Sequence, residues 1–131
     1  MRIFFFCKGS FISTQKLEVK LKEFNDASNS EIVITESKNH ELKPTTKIVQ
    51  LTCSKTSTSI GAINVFLNQV KVEAKCERYT GVIFEDFYCL AKSIEYDTSN
   101  LIKSDDFITF DCIAEGQPEL KISVKLFKSG K

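Results

Sequence analysis

The feature that most constrains this chain is the period of its apolar residues, which is two over several long stretches. Leu120, Ile122, Val124 and Leu126 alternate with Lys121, Ser123 and Lys125. Leu17, Val19 and Leu21 alternate with Glu18, Lys20 and Lys22, and Ile108, Phe110 and Cys112 alternate with Thr109 and Asp111. Successive side chains of a strand point to opposite faces, so each stretch predicts a strand with one apolar and one wet face. The apolar runs Ile32–Thr35, Ile48–Thr52 and Val82–Leu90 add three more strand candidates. Between these runs lie turn-rich segments: Asn25–Ser30, Lys38–Thr46 with Pro44, Asp97–Asn100 and Glu115–Pro118. Short strands at such intervals predict an all-β fold, either an antiparallel two-sheet sandwich or a small barrel. One segment reads both ways. Ile60, Ile63, Leu67, Val70 and Ala74 fall at helical spacing, while Val70, Val72, Ala74 and Cys76 fall at strand spacing, which leaves room for one short helix around 58–76.

At 131 residues the chain suits a single domain, 1–131, with residues 1–30 as N-terminal strands or an arm beside a compact β unit over 31–128. Eleven Phe and three Tyr supply bulk for its core. Eighteen basic side chains balance 17 acidic ones, giving a net charge of +1 and no overall field to attract phosphate or anionic lipid. The opening Ile3-Phe4-Phe5-Phe6-Cys7 is interrupted by Lys8 and Gly9. It is too short for a membrane span or a signal peptide and reads as a buried strand. The expectation is a soluble protein without membrane insertion, cytoplasmic in the absence of an export signal.

Little of the sequence offers chemistry. The lone histidine, His40, lies in the polar turn Ser37–Glu41, where a solvated side chain is expected. The pairs Glu85–Asp86 and Asp105–Asp106 are adjacent residues, which on a strand point apart and share no ligand. The five glycines are scattered, with no phosphate-binding loop, and the five cysteines lack zinc-site spacing. No catalytic residue, metal site or cofactor is expected, and the chain reads as something other than an enzyme. The cysteines, at 7, 53, 76, 89 and 112, fit buried free thiols in a reducing compartment or one or two disulfides in an exported domain.

Binding surfaces are easier to nominate. Tyr79, Phe87 and Tyr88 stand close to turns and are candidate aromatic anchors for a protein partner. Lysines recur on polar faces, and Lys71, Lys75, Lys121 and Lys125 beside Phe or Tyr would make a basic stacking face if their strands were neighbours. That pattern supports an alternative: a single-stranded nucleic-acid-binding subunit on an oligonucleotide-binding barrel, with salt-sensitive affinity.

Residues 31–128 also resemble an immunoglobulin-like domain. Ile48-Val49-Gln50-Leu51-Thr52-Cys53 looks like the family's second strand with its first core cysteine. Phe66 follows about where the family has its buried Trp. Asp106-Phe107-Ile108-Thr109-Phe110-Asp111-Cys112-Ile113-Ala114 is similar to the family's Asp-x-Gly-x-Tyr-x-Cys-x-Ala, with Phe110, which lacks a hydroxyl, in the tyrosine-corner position and Leu120–Leu126 as closing strand. In a rival register, Cys112–Pro118 resembles an early strand instead. The resemblance implies a Cys53–Cys112 disulfide between two sheets, an extracellular setting if that bond forms, and binding through edges or loops. The reading is therefore a non-catalytic interaction module that recognises another protein through a sheet edge or loops.

Overall fold

The computed structural model describes residues 15–25, 29–103 and 105–128, and the expected strand at Ile3–Cys7 lies outside them. The chain is all-β. In order the strands are β1 (Leu17–Phe24), β2 (Asn29–Ile34), β3 (Lys38–Leu42), β4 (Ile48–Lys55), β5 (Ile63–Leu67), β6 (Val70–Val72), β7 (Lys75–Tyr79), β8 (Cys89–Asp97), β9 (Phe107–Ala114) and β10 (Gln117–Lys128). They form two five-stranded sheets, ordered β2-β1-β4-β8-β7 and β3-β10-β9-β5-β6. Every pairing is antiparallel except that of β3 with β10. Each sheet keeps two edge strands, so the arrangement is a sandwich and the barrel alternative is not formed.

The alternating stretches account for the core. Leu17, Val19 and Leu21 on β1 and Val49, Leu51 and Cys53 on β4 face Ile108, Phe110 and Cys112 on β9 and Ile122, Val124 and Leu126 on β10. Phe110 is fully buried and shares the inward face of β9 with Cys112. β1 is an inner strand, paired on both sides, so residues 17–24 belong to the same compact unit as the strands that follow. The two central strands, β4 and β9, are joined across the sandwich by the Cys53–Cys112 disulfide, with the Cα atoms 6.4 Å apart.

Three expectations need correction. No helix forms around 58–76: Ile63 and Val65 point inward while Asn64 and Phe66 alternate outward, as in a strand. The chain then reverses at Asn68 and Gln69, whose φ values of 49° and 67° give the two-residue turn that matches strand twist. The same alternation moves Phe66 off the position of a ring stacked on the disulfide. Val65 is the residue paired with Cys112, and Phe66 sits on the outer face between Lys71 and Asp111. Third, Lys38–Leu42 is a strand rather than a turn. It is a polar edge strand with no apolar alternation, held in place by parallel pairing with Val124–Lys128.

The inward rows of β1 and β4 both end in a charged residue. On β1 it is Glu23, 6% exposed, whose carboxylate accepts hydrogen bonds from the Thr46 hydroxyl (2.7 Å) and the Lys43 N–H (3.1 Å) and meets His40 Nε2 at 3.1 Å. His40 is thus a half-buried member of β3 bonded to the opposite sheet, not the solvated loop side chain expected of it. Burial by itself raises the Glu23 carboxyl. The bonds from Thr46, His40 and Lys43, with the charge of His40, outweigh it and hold the group below its ordinary value of 4.5. A carboxyl depressed by folding stabilises the protein above that ordinary value and loses its contribution as pH falls through the folded one. Glu23→Gln is therefore expected to cost about 2 kcal/mol at neutral pH. In thermal melts the gap between wild type and variant should shrink as pH drops below 4.5. A gap constant from pH 7 to pH 3 would show that the carboxylate is not what holds this end of the sandwich.

Candidate functional site: an exposed apolar loop with a fixed base

Residues 82–90 do not form one strand. β8 begins at Cys89, and residues 80–88 make a loop that leaves β7 through Gly81, whose φ of 68° suits glycine, and returns through a single 3-10 turn, Asp86–Tyr88. The apolar side chains of the expected strand instead point to solvent. Val82 is 85% exposed, Phe84 71%, Ile83 45% and Phe87 44%. Other exposed apolar residues, such as Val33, Val70 and Ile102, stand singly in their segments, as is normal on any surface. Four within six consecutive positions form a patch of the kind that marks a contact site.

The base of this loop is fixed from several directions. Cys76 on β7 is bonded to Cys89 at the start of β8, closing the loop covalently. The Thr80 N–H donates to the Tyr88 carbonyl (3.1 Å) and the Tyr88 N–H to the Glu85 carbonyl (2.9 Å). Lys55, which ends the inward row of β4 and is 2% exposed, drives its ammonium beneath the loop. It donates to the carbonyls of Phe87 (2.7 Å), Ile60 (2.9 Å) and Gly61 (3.3 Å) and lies 4.8 Å from the centre of the Phe87 ring. Burial lowers the Lys55 pKa below 10.5, with nearby Asp86 opposing the shift and Lys92 adding to it. Lys92 reaches up from β8 to pair with Asp86 and donates to the Ile63 carbonyl at 2.8 Å. The rings interlock as well: Tyr79 meets Phe84 edge-on at 5.2 Å, and Phe87 meets Tyr88 at 5.3 Å. A fixed base with an apolar tip lowers the ordering cost of binding, because little conformational freedom remains to be lost.

The nominated residues distribute unevenly over this geometry. Tyr79, Phe87 and Tyr88 all belong to the loop or its stem, Phe87 exposed and the two tyrosines half-buried. The tip residues Val82, Ile83 and Phe84 were not nominated, because their apolar character reads equally well as core strand. The signals available were the Gly81 break, the Glu85–Asp86 pair and the two cysteines flanking the segment. The four lysines do not share one face. Lys71 on β6 and Lys121 and Lys125 on β10 belong to one sheet, whereas Lys75 on β7 belongs to the other. Between Lys71 and β10 come β5 and β9, which place Phe66 and Asp111 in the row. Lys125 does lie over an aromatic ring, that of Phe107, at 4.3 Å. Of the acidic pairs, Asp106 caps the turn after Leu101 by accepting from the Ile102 and Lys103 N–H groups.

Among the described residues no cluster of three or more His, Cys, Asp or Glu is arranged to hold a metal ion. No helix among them is long and apolar enough to cross a membrane. Four of the five cysteines are bonded as Cys53–Cys112 and Cys76–Cys89, and Cys7 lies outside the described residues. Compared with protein-family models, curated proteins and solved structures, the chain gives no match.

Proposed function

We propose that this chain is a non-catalytic binding module that recognises another protein through the 80–88 loop. The observation that carries the reading is the run Val82-Ile83-Phe84, exposed at the tip of a loop whose base is pinned by a disulfide and a buried lysine. Exposing three apolar side chains gives up burial worth roughly 1.5–3 kcal/mol each, which a partner's surface can recover. The same reading takes the sandwich as immunoglobulin-like. In support, β1-β4-β8-β7 follows that family's A-B-E-D sheet and β10-β9-β5-β6 its G-F-C-C′ sheet, with the disulfide on the B and F strands. Two disulfides support an oxidising, extracellular setting for the encounter.

The test begins with capture from secreted and cell-surface fractions by the immobilised chain, followed by titration of the purified binding protein. Phe84→Ser is expected to weaken that affinity about 100-fold, while loss of the Tyr79–Phe84 ring pair lowers the melting temperature by only a few degrees. Raising salt from about 0.1 to 0.5 M should change it less than about threefold, since the contact is apolar. Equal affinity of wild type and Phe84→Ser would overturn the reading. So would steep salt dependence, the behaviour of a polyanion-binding surface.

A further inference from the structure

Among the described residues the sandwich has four edge strands, and three carry the features that discourage strand addition. β6 is only three residues long. β7 is broken by two register shifts and exposes Lys75 and Arg78. β3 reads Lys-Asn-His-Glu-Leu, with a charge of each sign. β2 has none of these. It pairs with β1 over six consecutive positions without a register shift, and Glu31 is its one charged residue. Val33 is 53% exposed, and Ile32 packs only partly on the core. Among the described residues no other strand pairs with it. Toward the described residues its outer row of backbone groups is an open template.

From this contrast we infer that β2 is a self-association surface, on which β2 of a second copy adds antiparallel about a two-fold axis. Two two-fold registers pair five of the six residues of the strand, and its charge separates them. Centring the axis on Ile32 sets Ile32 against Ile32, Ser30 against Ile34 and Glu31 against Val33. The two carboxylates then stay apart and each lies beside an apolar partner. Centring on Glu31 instead opposes the two carboxylates directly, which is unfavourable. An isologous contact of this kind closes after two copies and joins two five-stranded sheets into one. The surface belongs to the opposite edge of its sheet from β7 and is independent of the loop.

Sedimentation velocity of the full chain, in a Cys7→Ser background so that no intermolecular disulfide imitates the contact, tests this directly. A dimer is expected to form within the range up to about 1 mM. Val33→Glu places two like-charged pairs across the axis and should weaken the dimer about tenfold. Adding Glu31→Lys turns both pairs attractive and should restore it, whereas Phe84→Ser should leave it unchanged. Far-UV circular dichroism checks that each variant is folded. The inference is overturned by a monomer at every concentration or by open-ended assembly. It is equally overturned if Val33→Glu has no effect, if Glu31→Lys fails to rescue it, or if Phe84→Ser dissolves the dimer.

Discussion

Replacing Cys53 and Cys112 together by alanine is expected to lower stability by about 4 kcal/mol. The bond closes a segment of 59 residues, so its loss frees a large part of the unfolded ensemble. A domain of this size has about 5–15 kcal/mol in total, so such a loss removes much of the margin. Both cysteines are fully buried on the central strands, and alanine leaves small voids that add to the cost. The double variant Cys76→Ala, Cys89→Ala, whose segment spans 13 residues, should lose about 3 kcal/mol by the same reasoning. It should also loosen the loop, where the Cys53–Cys112 variant leaves the loop's stem intact. Urea unfolding of both variants against wild type measures the two costs. If the Cys53–Cys112 variant is the more stable of the two, the central bond is not the main cross-link of the sandwich.

Lys55→Met is expected to cost about 3 kcal/mol and to release the base of the loop. The ammonium is the shared donor for three carbonyls that come from two separate segments, Ile60–Gly61 and Phe87. Methionine keeps the length and apolar stem of lysine but donates nothing, so these acceptors lose a charge-assisted bond. Asp86 keeps Lys92, so the substitution separates the Lys55 bonds from the neighbouring ion pair. The expected signature is a lowered melting temperature together with faster amide exchange over residues 80–88 than in wild type. Unchanged exchange in that loop would mean the disulfide and Lys92 hold it without Lys55.

Those two charged anchors show how far the sequence could be read. β1, β9 and β10 are legible from their alternation, and β4 from its apolar run Ile48–Thr52. Extending the same parity by one step puts Glu23 and Lys55 inward, since 17, 19, 21, 23 and 49, 51, 53, 55 are single rows. A charge at the end of an inward row was the available sign of a buried polar anchor. Other features left no such trace. β3 is a polar edge strand whose position depends on backbone pairing with β10, a long-range partner 86 residues away at Lys38↔Val124. The hairpin at Asn68–Gln69 lacks the glycine that usually marks such a turn. The 80–88 loop was misread because Val, Ile and Phe carry the same signal whether they face a core or a partner. The four bonded cysteines allow three pairings, and only the fold places Cys76 next to Cys89.

Whether the proposed partner meets the 80–88 loop is measured by amide hydrogen exchange of the chain, free and saturated with the protein captured from secreted and cell-surface fractions. Slowed exchange confined to peptides covering residues 80–88 and the adjoining ends of β7 and β8 is the predicted result. Protection elsewhere on the sandwich, with 80–88 exchanging as fast as in the free chain, would contradict it.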